Sequence, residues 1–344
     1  MEKVKVGIVG MGWWSDVLAT AMQKSPHLCL TACFSRDAEK TRKFAEKFGC
    51  EPVGSLMELV SGEKVEGVIL TTPNSQHRAG VETAAAAGKH VFVEKPIAND
   101  LQDAYAIVAA CRRAGVILSV GHSYRRHGGL RKLAEIIKRG ELGRISLAQA
   151  IFSKDRGLRL NPGDWRSRGE EMPGGCLMQI GIHHIDNLIY LLGDVSEVSG
   201  MFAHLETRGA IADVSAILMR FANGAIGHVG VDYISADKFS LTVYGTDALA
   251  TFDLTQGLTL FRRGGGAEER LAFAPVDYLR AELEEFALCI RDHCQPEVDG
   301  LAAVQPLSVV LAAIESAATG RTIALAAPES AFAQEARLSH GLDH

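Results

Sequence analysis

Two histidines stand side by side, His183 and His184, in the segment GGCLMQIGIHHIDNL, whose other residues are mostly apolar. Adjacent imidazoles can bind a metal, act as acid and base, or pack in a core. On a helix, positions 179, 183 and 187 share one face, and position 184 is turned about 100° away. One histidine can therefore face a reacting group while the other packs elsewhere. Zinc sites on helices use histidines four residues apart, so no metal is expected here.

The lysine of EKP, Lys95, is a second candidate for proton transfer. Pro96 disfavours helical geometry in the residue before it, so Lys95 is expected in an extended conformation at the end of a strand. An ammonium group there can donate to an oxygen where a carbonyl is made or consumed. Glu94 and Lys95 taken alone would more often form a solvated ion pair. Their position after a buried strand favours the catalytic interpretation.

The segment VKVGIVGMGWWSDVLATAM places two glycines directly after a strand and before a helix. Gly10 permits a tight turn, and Gly12 lets a pyrophosphate approach the helix N-terminus. Ser15 replaces the third glycine of the dinucleotide fingerprint and is small enough to keep helix and strand close. The residues of this loop predicted to contact a dinucleotide are Gly10, Met11, Gly12, Trp13 and Trp14.

The second strand ends in CFSRD, with Ser35 and Arg36 where NAD-binding folds carry an acidic residue against the ribose. Serine and arginine can bind a 2′-phosphate, which a carboxylate would repel. NADP(H) is therefore favoured over NAD(H). Two alternatives stay open: Arg36 stacks on adenine or points to solvent, and Asp37 turns toward the ribose.

The other candidates follow strand ends or precede the histidine helix, in TTPNSQH, EKP, GHSYRR and the loop before the glycines. Open α/β sheets bind their ligands at the carboxyl ends of the strands. Further predicted cofactor contacts are Thr72, Pro73, Asn74, His77, Glu94 and Lys95. Predicted substrate contacts are Tyr124, Arg125, Trp165, Arg166, Gln179, His183 and Asp186. Trp165 is equally suited to the core, the arginines to surface pairing and Asp186 to an exposed role. Cys176, near the start of the histidine helix, is expected to be a small buried hydrophobic residue rather than a nucleophile.

The elements that must position these residues divide into two groups. Strand and helix patterns alternate in the first third, which predicts an N-terminal α/β Rossmann domain with a doubly wound parallel sheet at residues 1–122. From Val195 the period becomes two, which predicts a C-terminal α+β domain at 123–344 with an open, mostly antiparallel sheet, for substrate binding and oligomerisation. Helices are expected near 278–294 and 301–319, the latter a candidate to pack back on the first domain.

The 344 residues are 47% hydrophobic and carry a formal net charge of -5. No basic face for nucleic acid is indicated, and a small-molecule substrate is expected. The seven cysteines lack zinc-type spacing and are expected to be reduced. No signal peptide is recognised and no uninterrupted apolar run reaches ~18 residues, so no membrane association is expected and the cytoplasm is the predicted location.

Together these motifs resemble the Gfo/Idh/MocA family of nicotinamide-dependent oxidoreductases, through GIVGMGWW, TTPNSQH, VEKPIA, VGHSYRR, the block from Trp165 to Gly193 and IESAATGR. The resemblance implies a Rossmann domain followed by an α+β domain whose sheet mediates homodimer or homotetramer contacts. It also implies that Lys95 is the catalytic lysine and that His183 matches the histidine of D-x-x-x-H-x-x-D. Gln179 departs from that pattern, because an amide can orient the imidazole or bind substrate but supplies no charge.

The function implied is hydride transfer between nicotinamide and a hydroxyl or keto carbon of a sugar, polyol, cyclitol or related cyclic hydroxy compound, with Lys95 and His183 handling the proton. Two alternatives remain. One is a glycoside-cleaving enzyme that recycles tightly bound NAD internally. The other is a nucleotide-sensing regulatory protein without turnover, which the loss of an acidic residue at 179 favours and the presence of Lys95 and His183 disfavours.

Overall fold

A computed structural model of the protein describes residues 2–326 together with Ser330 and Phe332. The chain divides into two compact units: residues up to 123 with 277–304, and residues 124–276 with those from 305 on. The first break lies close to the predicted boundary. Residues 277–304, which the sequence analysis assigned to the second domain, belong to the first unit.

The first unit is built on a six-stranded parallel sheet in the order β3-β2-β1-β4-β5-β6. This is the doubly wound order, with the reversal between β1 and β4. Strands such as β4 are buried along their whole length, because helices cover both faces of the sheet. The elements are β1 (Val4–Val9), α1 (Trp13–Gln23), β2 (Leu28–Phe34), α2 (Ala38–Phe48), β3 (Glu51–Pro52), α3 (Leu56–Ser61), β4 (Gly67–Leu70), α4 (His77–Ala86), β5 (His90–Glu94), α5 (Leu101–Ala114) and β6 (Leu118–Gly121).

The second unit contains a nine-stranded sheet in the order β14-β13-β12-β11-β7-β10-β9-β8-β15, in which only β7 and β10 pair in parallel. The strand β7 was not foreseen, because it precedes the run of period-two segments. Burial alternates along β9, so one face of the sheet is open. The elements are α6 (Gly128–Lys138), β7 (Ile145–Ser153), α7 (Ile182–Leu192), β8 (Val195–Ala203), β9 (Val214–Phe221), β10 (Ile226–Asp232), β11 (Lys238–Gly245), β12 (Ala248–Asp253), β13 (Gly257–Arg262), β14 (Glu269–Leu271) and, after the two later helices, β15 (Ile323–Ala324). The predicted fold class is confirmed.

Two late helices were predicted and are confirmed: α8 (Tyr278–Asp292) and α9 (Gly300–Thr319). The helix α8 returns to the first unit, where Leu283 and Phe286 are fully buried in the cluster formed with β1, β2 and α1. Phe286 lies against Gly67, where a Cβ would approach its ring to 3.1 Å. Of α9, residues 300–304 belong to the first unit and the rest to the second.

The sequence analysis expected no segment with the length and composition of a membrane span, but α9 has both. It has 20 residues and a mean hydropathy of 1.6 over its most apolar window, which is enough to cross a membrane on those criteria. Gln305, Ser308 and Glu315 interrupt the apolar run but do not lower its average below that level. Half of the window is buried inside the protein.

Candidate active site

The loop after β1 has the backbone shape that a dinucleotide fingerprint requires. Gly10 has a φ of +96°, and a Cβ there would approach the Thr71 and Thr72 backbone to 3.0 Å. Gly12 begins α1, and a Cβ at that position would meet nothing within 4 Å. Gly10 is therefore required by the turn, and Gly12 leaves open space at the N-terminus of α1.

Four residues of the loop and the first helical turn adjoin this open space. Ser15 is fully buried, and its Oγ accepts from the Gly12 N–H at 2.9 Å and donates to the Gly12 carbonyl at 2.7 Å. Trp13 is 52% exposed, whereas Trp14 and Met11 pack against the core of the first unit. The sequence suggested only that Ser15 is small enough to keep helix and strand close. In the structure its hydrogen bonds also fix the start of α1.

The carboxyl end of β2 borders a groove of about 390 Å³, lined by Phe34, Ser35, Arg36, Ala38, Thr41, Pro52, Val53 and Gly54. Ser35 Oγ bonds Thr41 Oγ1 at 2.9 Å, while Arg36 is exposed. Asp37 caps α2 by accepting from the Lys40 N–H at 3.0 Å, and this bond lowers the pKa of the carboxyl below its ordinary value. The alternative that Asp37 turns toward a ribose loses support, since its carboxylate already caps the helix.

The loops after β4 and β5 are joined by a buried histidine. His77 Nε2 lies 3.1 Å from the Thr72 carbonyl, and Nδ1 lies 3.0 Å from that of Pro96. His77 is fully buried, so the structure gives it a role in fixing the two loops rather than an open position for a cofactor. Pro73 precedes a short turn over Asn74–Gln76, and the buried Asn74 donates to Asn99 Oδ1 at 3.0 Å.

The EKP segment places Glu94 at the last position of β5 and Lys95 just beyond it. Glu94 is buried against Gly121 of the neighbouring strand, where a Cβ would come within 2.9 Å of its Oε1. The Lys95–Pro96 peptide bond is cis, and Lys95 is partly exposed. Lys95 therefore lies at the same carboxyl edge of the sheet as the glycine loop.

In the second unit, His183 lies at the edge of a group of aromatic rings. Its ring is 4.7 Å from that of Tyr124, edge to face, and Tyr124 stacks on Phe239 at 4.5 Å. Tyr124 belongs to the short turn Ser123–Arg126, and His183 to the first turn of α7. His183 is 9% exposed and His184 is completely buried, so His183 is the one that retains access to solvent.

His184 is held in the core. Its Nε2 lies 3.0 Å from the Ile151 carbonyl, and its ring lies 4.1 Å from that of Phe239. Burial lowers the pKa of His184 to about 3, so the ring is neutral at physiological pH and donates to that carbonyl. The prediction that His184 is a packed, hydrogen-bonded histidine is confirmed.

The helical-face argument for position 179 was wrong. Leu177–Gly181 forms a π-helical turn before α7, so the ideal 3.6-residue spacing does not extend from Gln179 to His183. Gln179 Nε2 donates to the Arg166 carbonyl at 2.9 Å, and Oε1 accepts from the Tyr233 hydroxyl at 2.9 Å. The amide thus connects the π turn to the loop before the glycines.

Arg125 and Asp186 form a buried ion pair. The guanidinium Nε donates to Asp186 Oδ2 at 3.0 Å, a second nitrogen bonds Oδ1, and the side chains are only 6% and 1% exposed. Arg125 also lies over the Tyr190 ring, 5.4 Å from its centre. Neither the exposed role considered for Asp186 nor surface pairing of Arg125 is found. The pair ties the Ser123–Arg126 turn to α7.

The remaining predicted substrate contacts are Trp165 and Arg166, which are half-buried, with the guanidinium 4.1 Å from the indole ring. Cys176 is fully buried, and burial raises the pKa of its thiol to about 12, which confirms it as a packed residue. Among the residues the structure describes, no three His, Cys, Asp or Glu side chains are grouped to hold a metal.

Comparison with known proteins decides the family. An oxidoreductase family with an NAD-binding Rossmann fold, GFO/IDH/MocA, matches residues 4–122, and the C-terminal domain of that family matches residues 130–251. A 1,5-anhydro-D-fructose reductase from Ensifer adhaerens is 30% identical over 303 residues, which are 85% of this chain and 90% of the relative. The chain belongs to the Gfo/Idh/MocA oxidoreductases.

Two further relatives of this Gfo/Idh/MocA oxidoreductase are similar over nearly the whole chain. A D-apiose dehydrogenase from Paraburkholderia graminis is 27% identical, covering 96% of this chain and 92% of its own. A solved structure from Desulfitobacterium hafniense, described as a candidate NADPH-dependent oxidoreductase, is 36% identical with a TM-score of 0.91, covering 94% of this chain and 98% of its own. The predictions of family, fold and enzyme class are confirmed.

The first unit of this Gfo/Idh/MocA oxidoreductase fits the dinucleotide that its family binds. Gly12 leaves the helix N-terminus open, and Thr72 Oγ1 is buried without a hydrogen-bond partner among the described residues. Residues with a part in the site that the sequence analysis missed include Thr41 under Ser35, and Tyr233. Neither lies in a motif, and Tyr233 meets Gln179 across 54 residues of chain, so no local signal identifies it.

Proposed function

We propose that the protein is a dehydrogenase or reductase that prefers NADP(H) and transfers hydride to or from a hydroxyl or keto carbon of a sugar, polyol or cyclitol. The observation that carries the proposal is Lys95 at the carboxyl end of β5, on the sheet edge that also bears the open loop at Gly12. When bound, the nicotinamide supplies the hydride chemistry. The names of the relatives, an anhydrofructose reductase and an apiose dehydrogenase, favour sugars as the substrate class.

In this proposal, Lys95 Nζ donates a proton to the substrate oxygen as hydride reaches the keto carbon, and the resulting neutral amine takes the hydroxyl proton back in the reverse direction. His183 passes that proton to or from solvent, to which the residue is 9% exposed. His184 takes no part, because its ring is neutral, enclosed and bonded to a backbone carbonyl.

The test is nicotinamide absorbance with both NADP(H) and NAD(H) and a panel of sugars, cyclitols and their keto forms. Turnover with one substrate class, faster with NADP(H), is the expected result. Tight binding of cofactor without net turnover on any of them would contradict the proposal and favour internal redox recycling or nucleotide sensing.

The proposed preference for NADP(H) rests on Arg36 in the groove at the end of β2. Arg36→Ala is expected to weaken NADPH binding roughly tenfold to a hundredfold and to leave NADH binding nearly unchanged, because one charged hydrogen bond to a 2′-phosphate is lost. The loss should shrink at high salt, since Arg36 is exposed.

Fluorescence titration of both cofactors measures the effect of Arg36→Ala. The matched control is Arg42→Ala on α2, whose guanidinium pairs with Glu46 on the helix surface. Equal weakening of NADPH and NADH by the Arg36 change would contradict a 2′-phosphate contact.

We also propose a cytoplasmic location, which the seven free thiols favour, and a homodimer or homotetramer. The open face of the nine-stranded sheet carries exposed Leu147, Met201 and Leu218, which are 38%, 78% and 53% exposed. Sedimentation equilibrium tests the assembly, and a monomer at micromolar concentration would contradict it.

A further inference from the structure

The loop before the glycines is held in place at two backbone carbonyls. The turn Trp165–Ser167 is closed locally, since Ser167 Oγ donates to the Asp164 carbonyl at 2.7 Å. Ala210 N–H donates to the Ser167 carbonyl at 2.8 Å, and Gln179 Nε2 donates to the Arg166 carbonyl at 2.9 Å. The Gln179 bond attaches the loop to the π turn, which leads directly into α7, the helix that carries His183.

The orientation of the Gln179 amide is forced by its neighbours. A backbone carbonyl can only accept, so the NH₂ group must face Arg166, and Oε1 must face the Tyr233 hydroxyl. Tyr233 is 1% exposed, and burial raises the pKa of its hydroxyl, which keeps it protonated and able to donate. Gln179 is therefore used as a donor and an acceptor at the same time.

An ionised carboxylate cannot replace this amide. Glutamate has the same shape as glutamine, but its charged form has two acceptor oxygens, one of which would face the Arg166 carbonyl. The loop would be repelled unless that oxygen carried a proton. An aspartate would in addition be one methylene too short. The residue type at 179 is thus coupled to the position of the loop.

The loop carries a cation–aromatic pair, named here the Trp165–Arg166 platform. The guanidinium of Arg166 lies 4.1 Å from the indole centre of Trp165, and both side chains are half-buried. The guanidinium of such a pair can donate to the hydroxyl groups of a substrate ring.

We propose that Gln179 is a positioning residue, which sets the Trp165–Arg166 platform for the substrate through the Arg166 carbonyl and takes no part in proton transfer. This inference rests on the proposed function, because it takes the platform as a substrate contact.

The test is Gln179→Glu, assayed across pH and compared with Gln102→Glu, an exposed glutamine on α5. The protonated carboxyl can still donate to the Arg166 carbonyl, whereas the ionised form cannot. The KM for substrate should therefore be near that of the wild type at low pH and rise roughly tenfold to a hundredfold as the carboxyl ionises, with kcat within about threefold. Gln102→Glu should leave the KM profile unchanged.

A second readout does not depend on activity. Trypsin cleavage after Arg166 or Arg168, expressed as a ratio to the wild-type rate at each pH, should increase over the same pH range in Gln179→Glu and stay constant in Gln102→Glu. Tyr233→Phe, which keeps the bond to Arg166, should show a smaller acceleration without the pH dependence.

Three results would overturn the inference: cleavage that does not respond to pH, a loosened loop with unchanged KM, or a fall in kcat at constant KM. If the wild type turns over no substrate, the proposed function fails instead. The cleavage rates then still decide whether Gln179 holds the loop.

Discussion

Replacing Lys95 by alanine is expected to lower kcat by about 10² to 10⁴-fold, because a positioned proton donor contributes on this scale. NADPH binding should weaken much less than the rate, even though Lys95 is itself a predicted cofactor contact, since the open loop at Gly12 and the groove at Arg36 are unchanged. Stopped-flow or steady-state nicotinamide absorbance measures the rate, and fluorescence titration measures the binding.

Two further variants sharpen this experiment. Lys95→Arg keeps the charge but should also be strongly impaired, because a guanidinium does not release its proton in proteins. Lys24→Ala removes an exposed lysine at the opposite end of α1 and should be neutral. Nearly full turnover in Lys95→Ala would remove Lys95 from the mechanism and leave His183 as the remaining candidate.

Replacing Asp186 by alanine is expected to destabilise the protein by about 3–5 kcal/mol, because it leaves the Arg125 guanidinium buried without its carboxylate. Solvent screens this pair little, since the two side chains are only 6% and 1% exposed. Equilibrium urea unfolding, followed by circular dichroism, measures the free energy of unfolding.

A matched control is Asp247→Ala, whose carboxylate pairs with Arg263 on the surface at 3.2 Å and should cost below about 1 kcal/mol. The double change Arg125→Met with Asp186→Leu should recover most of the loss, because no charge is left buried. If Asp186→Ala stays within about 1 kcal/mol of the wild type but raises KM strongly, Asp186 is a substrate contact after all.

The fold and the nucleotide loop could be predicted from sequence because their signals are local. A strand, two glycines and a helix start within ten residues fix the shape around Gly10 and Gly12, and alternating periods fix the two sheets. The packing of His184 followed from a simple rule, that neighbouring positions on a helix face different surroundings.

The other features of the fold and the site depend on contacts between residues that are far apart in the sequence, and these could not be predicted. The π turn at Leu177–Gly181 has no clear sequence signature, and it changed the neighbours of Gln179. The pairing of Arg125 with Asp186 joins residues 61 positions apart. Likewise, the sequence predicted a helix near 278–294 but did not say against which sheet it packs.

The helix α8 belongs to the first unit but follows residues 124–276 of the second unit in sequence. The first unit is therefore completed late in synthesis. A ribosome that has completed residue 123 has synthesised all six strands of the first sheet, but not the helix that covers Val4, Leu18 and Met22. At about 5–20 residues per second, the 153 residues from 124 to 276 take roughly 8–30 s to follow. During that interval the nascent nucleotide-binding unit exposes an apolar surface, where chaperones can bind, and an excised fragment ending near residue 123 would keep that surface permanently.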